Sequence, residues 1–161
     1  QMILIWILLS LLFVFFALIV LVGAPFVPTK QKEVVQIYNS IKLRKGSLVV
    51  DLGCGDGRIL LEAAKRGYRA IGYELNPLLV VIAKYRLRKY PNADCKIGDY
   101  WLADISRAKM VFIFSAQPYM KRLSQKLIKE LKPGAQVVSF GFSLPGRKIT
   151  KKVGAANIYR F

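Results

Sequence analysis

The string Val49-Val-Asp-Leu-Gly-Cys-Gly-Asp-Gly-Arg58 joins an apolar run to a glycine-rich turn and then to a helical pattern. Residues 47–52 are apolar apart from Ser47 and Asp51, as in a strand buried on both faces. Residues 58–66 place apolar side chains at helical spacing. Between the two, Gly53, Gly55 and Gly57 let the backbone turn tightly and let a ligand approach it. The helix start that follows suits a carboxylate or phosphate. The dinucleotide pattern G-x-G-x-x-G fails, because its third glycine position is Arg58. A P-loop fails too, because no Gly-Lys-Ser/Thr follows. What stands is D-x-G-x-G-x-G, and an acid two positions before the first glycine suits a cationic ligand group such as an amino-acid ammonium.

The same strand–helix alternation continues on both sides. Residues 31–41 read as a short amphipathic helix through Val34, Val35, Ile37, Tyr38 and Ile41. Residues 69–73 read as a second strand ending at Glu74, and 77–90 as a helix with Pro77 in its first turn. Residues 94–97 form a short strand, Met110–Phe114 a continuous apolar one, 120–131 a helix closed by Lys132-Pro-Gly134, and Gln136–Phe140 another strand. Residues 141–161 fit two short strands around Gly146 or Gly154. The expected fold is α/β: a Rossmann-like, mostly parallel sheet with helices on both faces. Glu74 lies about 20 residues past the glycine turn, the spacing of a ribose-hydroxyl acceptor. Asp99, in Ile97-Gly-Asp-Tyr100, is a third acid after a third strand. Singly these are a turn residue, a solvated acid and an Asx turn. The chain has only nine acids, so three at the ends of successive strands mark the edge where open α/β sheets bind ligands.

The chain has 161 residues and a net charge of +17, which suits one domain. Its aromatic and aliphatic content excludes disorder. Two cysteines exclude a disulfide scaffold, and with no His they exclude the usual zinc sites and all His-based acid–base chemistry. No metal is expected. Every Lys and Arg lies at or after Lys30, whereas Met2–Val22 carries no charge. At 1.5 Å per residue a helix over this stretch spans about 30 Å, the thickness of a bilayer core. A cleaved signal is the competing reading, but no basic residue precedes the run and Gly23-Ala24 is followed by Pro25. Residues 2–22 are therefore expected to be a transmembrane anchor, 23–30 a stiff linker with Pro25 and Pro28, and 31–161 the functional domain. Lys30, Lys32, Lys42, Arg44 and Lys45 flank only the C-terminal side, so the positive-inside rule expects a single-pass protein with this domain on the cytoplasmic side. Tyr85-Arg-Leu-Arg-Lys-Tyr90 is a basic run suited to anionic headgroups or to a solvated helix face.

This constellation resembles the class I, seven-strand S-adenosyl-L-methionine-dependent methyltransferases over roughly residues 34–161. A closer resemblance is carried by the apolar anchor, Ala24-Pro-Phe-Val-Pro-Thr29, Asp51-Leu-Gly-Cys-Gly-Asp-Gly-Arg-Ile59, Gly72-Tyr-Glu-Leu-Asn-Pro77, Asp99-Tyr-Trp101 and Phe140-Gly-Phe-Ser-Leu-Pro145. Together these look like the membrane-anchored protein-lysine methyltransferases whose mitochondrial members modify adenine nucleotide translocase and a membrane component of ATP synthase. Cys54 stands where that pattern commonly has Ser, Gly141 where it has Arg, and the usual helix between the fifth and sixth strands has little room here.

The resemblance implies that Asp51, Gly53, Gly55 and Gly57 hold the methionyl part of S-adenosyl-L-methionine, and that Glu74 takes the ribose hydroxyls. It further implies that Asp99 takes the adenine amino group, with Tyr100 or Trp101 flanking the ring. Cys54 and Asn76 complete the implied cofactor-binding set. The implied reaction is direct SN2 methyl transfer to a neutral lysine amine, leaving S-adenosyl-L-homocysteine. Candidate catalytic groups lie in Ser115-Ala-Gln-Pro-Tyr-Met120: the Gln117 carbonyl and Tyr119 hydroxyl as acceptors from the amine. The plain alternative for this loop is a tight turn with Pro118 opening a helix. The implied partners are the membrane bilayer and a membrane-protein substrate. The basic charge also suits a nucleic-acid substrate, although Ala116-Gln-Pro-Tyr119 keeps only the last Pro and Tyr of the N/D/S-P-P-Y/F/W loop of adenine and glutamine methyltransferases. A lipid or quinone methyltransferase and a non-catalytic cofactor-binding scaffold are the remaining alternatives.

Overall fold

The structure, a computed structural model, describes the backbone of residues 2–22 and 29–161 and the side chains of residues 2–15 and 29–161. Helix α1 is Met2–Val22. Among the described residues no helix is long and apolar enough to cross a membrane. The described side chains of α1 cover Met2–Phe15, roughly 21 Å of helix at 1.5 Å per residue. The side chains of residues 16–22, and most of the expected linker over 23–30, lie outside the described residues.

The domain then alternates as expected: α2 (Gln31–Ser40), β1 (Leu48–Leu52), α3 (Arg58–Lys65), β2 (Arg69–Glu74), α4 (Pro77–Leu87), β3 (Ala93–Ile97), β4 (Met110–Phe114), α5 (Met120–Glu130), β5 (Gln136–Phe140), β6 (Lys151–Val153) and β7 (Ala156–Arg160). One-turn 3-10 segments sit at Tyr100–Leu102 and Gln117–Tyr119. The seven strands run β3-β2-β1-β4-β5-β7-β6, with β1 to β5 parallel and β7 antiparallel to both β5 and β6. Strand order reverses between β1 and β4, which opens a crevice at the C-terminal edge.

Both faces of the sheet are covered at its centre, where β1, β4 and β5 are buried in both directions. One core takes Val34 and Ile37 from α2, Leu60 and Ala63 from α3, and Val80 and Ala83 from α4, against Val49, Phe112 and Val138. Tyr38 joins it and donates its hydroxyl to Ile59 O at 3.2 Å, so this buried phenol is satisfied. The opposite core packs Met120, Leu123 and Leu127 of α5 with Ile105 and Leu144 against Val50, Leu52, Val111 and Ile113.

One expectation needs adjusting, and one alternative is decided. The helix read over 77–90 ends at Leu87, because Arg88 N–H turns back to Tyr85 O and Tyr90 N–H to Leu87 O. The final strands meet at Gly154, not Gly146, and residues 141–150 join β5 to β6 without a helix. Leu144 anchors this connection in the core, its N–H held by the Tyr159 hydroxyl at 3.0 Å.

Candidate active site

The three acids lie at one edge. Asp51 is the fourth residue of β1, Glu74 ends β2, and Asp99 follows β3 by two residues. After β1 the chain folds over the end of β2: Gly53 N–H and Cys54 N–H both donate to Tyr73 O, at 2.9 and 3.1 Å. Gly55 N–H donates to Glu74 Oε2 at 3.0 Å, and Asn76 N–H to Glu74 Oε1 at 2.9 Å. Glu74 therefore ties the glycine turn to the start of α4 while each oxygen keeps further acceptor capacity. Asn76 caps α4, its Oδ1 accepting from Leu78 N–H and Leu79 N–H, with Pro77 in the first turn.

Asp51 is 2% exposed, and its Oδ2 has no hydrogen-bond partner. A buried acceptor left this way is costly and marks a place where a donor or cation fits. Burial, then the charges of Glu74 and Asp56, push its carboxyl up to about 8. The sign follows. From the unperturbed 3.8 to about 8, the folded domain holds a proton that the unfolded chain has released. Stability from this group is therefore full below 3.8 and is lost as pH rises through about 8. In denaturant melts from pH 4 to 8, Asp51→Asn is expected to flatten the decline seen in the parent protein. An equally steep decline in the variant would contradict this assignment.

Asp56 is different. Burial opposes its ionisation, but hydrogen bonding and charge from Arg58 and Arg86 outweigh that and hold its carboxyl below the usual range. Arg58 Nη2 and Arg86 Nη1 lie 2.6 and 2.9 Å from Asp56 Oδ2. Arg58 also donates from Nη1 to Thr29 O at 2.7 Å. Asp56 thus braces the turn and ties the place where the chain joins the domain to α3 and α4. Gly57 has φ +77°, and a Cβ on it would sit 2.9 Å from Ala83 Cβ, so only glycine brings α3 this close to α4.

Cys54 turns inward over the sheet. Its Sγ lies 3.0 Å from Cys95 Sγ of β3, and both thiols are free and buried. The hydrogen bond to Cys95 and burial push the Cys54 thiol well up, so it is no thiolate nucleophile. Of the candidate cofactor residues, Cys54 supplies a backbone position and a packing side chain.

The far side of the crevice is aromatic. Asp99 Oδ1 accepts from Trp101 N–H at 2.9 Å, the Asx turn the sequence allows, and this sets the Tyr100–Leu102 turn. Tyr100 and Trp101 rings are 4.9 Å apart, and Trp101 meets Tyr119 edge-on at 6.4 Å. Tyr100 Oη is 3.4 Å from Ser115 Oγ, which links this turn to the end of β4. Arg122 stacks over Trp101 with Cζ 4.1 Å from the ring centroid. Tyr119, 37% exposed, is thus brought to Trp101, and Gln117 is exposed at the start of its 3-10 turn. Sequence reasoning missed Arg122, although it follows Tyr119 at helical i+3 spacing. It also gave no role to the Asp56–Arg58–Arg86 ion pairs. Among the described residues no group of acids, cysteines or histidines is placed to hold a metal.

The strand order, the glycine turn after β1 and the acid that ends β2 are those of a class I methyltransferase fold. An RNA methyltransferase from Salinibacter ruber, solved with S-adenosyl-L-homocysteine, shares the fold at a TM-score of 0.75 with 29% identity, over 84% of this chain and 92% of that one. The chain belongs to the ANTKMT methyltransferase domain family, which matches residues 51–151. It is 40% identical to a human lysine N-methyltransferase named for ATP synthase, over 124 residues, 75% of this chain and 53% of that protein. It is 38% identical to a protein-lysine N-methyltransferase of Saccharolobus islandicus, over 76% of this chain and 79% of that protein. It is also 38% identical to the mouse adenine nucleotide translocase lysine N-methyltransferase, over 75% of this chain and 54% of that protein. The chain thus spans about half the length of the human and mouse relatives.

Proposed function

We propose that this chain is an S-adenosyl-L-methionine-dependent protein-lysine N-methyltransferase acting on a membrane protein. The observation that carries it is the Asp51 carboxylate: buried, with Oδ2 unpartnered, at a glycine turn held by Glu74. That pair is complementary to an amino-acid ammonium beside a ribose. The family, and the lysine methyltransferase activity named for relatives, supports lysine as acceptor. When bound, the cofactor supplies an electrophilic methyl group on a sulfonium.

The chain's own residues then do four things. Asp51 loses its proton and pairs with the ammonium. The free acceptor capacity of Glu74 takes the ribose hydroxyls, with Gly53, Gly55 and Gly57 giving the backbone close approach, Cys54 holding the glycine turn on β2 and Asn76 holding Glu74 at the start of α4. Asp99 accepts the adenine amino group while Tyr100 and Trp101 cover the ring. Tyr119 and Gln117 accept hydrogen bonds from the lysine amine and aim its lone pair, which is the main task when the leaving group is good. An apolar, aromatic surround favours the neutral amine.

The reading includes α1 as a single-pass anchor with the domain, residues 31–161, on the cytoplasmic side. It is supported by the uncharged sequence of Met2–Val22 and the one-sided basic flank. Tritiated S-adenosyl-L-methionine added to membranes of the source cell is expected to label protein, released by acid hydrolysis as methyl-lysine. Label confined to lipid or RNA would overturn the acceptor assignment.

A further inference from the structure

Helix α4 is apolar on both sides. Val80, Ala83 and Leu87 face the core, while Leu78, Val81, Ile82 and Tyr85 point outward, 55%, 64%, 40% and 68% exposed. The outward four fall at i, i+3, i+4 and i+7, a continuous stripe. Scattered exposed apolar residues need no explanation, but an aligned stripe does. Ile97, 65% exposed, extends it on the same face of β3 as buried Cys95, and α4 packs on that strand. Leu75 carries it round to Glu74 at the cofactor edge.

Along α4 the charge beside the stripe has one sign. No acid occurs between Pro77 and Tyr90, and Lys84, Arg88 and Lys89 are all exposed. Arg88 stacks on Tyr85 with Cζ 3.9 Å from the ring centroid, joining the cationic end to the apolar one. An apolar stripe rimmed by cations complements an anionic bilayer surface, where the aliphatic and aromatic groups enter the headgroup boundary and the cations meet phosphates.

The chain joins the domain on the same side. Thr29 O is held by Arg58, Arg58 pairs with Asp56, and Asp56 pairs with Arg86 of α4. The seven residue steps from Val22 to Thr29 reach at most about 25 Å whatever their path. Nor does the described part of α1 cover the stripe, since Leu78, Val81, Ile82 and Tyr85 stay exposed in its presence.

We propose that the outward face of α4 rests on an anionic lipid bilayer and holds the cofactor edge, from Leu75 to Glu74, beside the membrane surface. This rests on the reading of α1 as an anchor. It deepens the proposed function, because the lysines presented to Tyr119 would then be those close to a lipid headgroup layer.

The test uses the full chain in vesicles of phosphatidylcholine and phosphatidylglycerol, with an environment-sensitive fluorophore on Val81→Cys or, as control, on Ile128→Cys. Ile128 is exposed on α5, across the sheet, and the native cysteines are buried. Headgroup-level nitroxide lipids are expected to quench the Val81 label at least about threefold more than the Ile128 label, and less so in phosphatidylcholine alone. Equal quenching at both, or none at Val81, overturns the proposal. Shielding of the Val81 label from aqueous iodide without quenching by lipid would mean that a second copy or another protein covers the stripe, which also overturns it. Flotation of the same sample separates the two readings. A chain that does not float overturns anchor and docking together, whereas a floating chain unquenched at Val81 leaves the anchor and removes the docking surface.

Discussion

Asp51→Ala and Glu74→Ala are each expected to weaken binding of S-adenosyl-L-methionine by roughly 100-fold or more, with the domain still folded. Losing the counter-charge of a desolvated ammonium costs about 3–5 kcal/mol. Losing two hydrogen bonds to a carboxylate costs about 3 kcal/mol or more, and each 1.4 kcal/mol is about tenfold in affinity. The two variants differ in what they do without ligand. Asp51→Ala removes a buried carboxyl whose Oδ2 has no partner, so the free domain should lose no stability and gain some at pH 8. Glu74→Ala releases Gly55 N–H and Asn76 N–H, both part-buried, so the free domain should lose about 1–3 kcal/mol. Calorimetric titration with thermal melts reads both quantities. Unchanged affinity in both variants would remove the site assignment, and loss of the fold in Asp51→Ala would contradict the account of its burial.

Gly72→Ala is expected to destabilise the domain by about 1–3 kcal/mol or more, the range for forcing atoms into a packed core. Gly72 is paired between Asp51 of β1 and Cys95 of β3, and Cys54 folds back over it. A Cβ there would overlap Cys54 Sγ and lie 2.6 Å from both Cys54 Cβ and Leu60 Cδ1. Neither neighbour has room, because Cys54 lies against Cys95 and Leu60 is fully buried. Cys54→Gly should partly rescue Gly72→Ala, since it removes two of the three overlaps. A purely additive double variant, measured in denaturant melts, would show that the crowding is not the cause.

The edge of the sheet is well marked in the sequence. The central strands β1, β4 and β5 announce themselves because each is short, buried on both faces and bounded by turn residues, and the acids follow from where the strands of the sheet end. Asp51, Glu74 and Asp99 are legible for that reason, and Asp99 also shows why a single acid is ambiguous, since its Oδ1 makes the Asx turn. What is not legible is contact between residues far apart in the chain. Nothing local says that Cys54 meets Cys95, that Gly72 must be bare to allow it, or that Arg86 reaches Asp56. The end of α4 is hidden because Arg88, Lys89 and Tyr90 are compatible with a helix by propensity, while the backbone turns at Leu87 to bring β3 alongside β2. Periodicity also cannot separate the two sides of a helix that is apolar on both, so the outward stripe of α4 emerges only once the inward residues are known.

The most direct test of the account is a crystal structure of the full chain with S-adenosyl-L-homocysteine. It should place the ligand's ammonium within hydrogen-bond distance of Asp51 Oδ2 and its ribose hydroxyls on Glu74. The sulfur should face the cleft between Ser115 and Tyr119. A ligand bound elsewhere, or one whose ammonium leaves Asp51 Oδ2 without a partner, would contradict it.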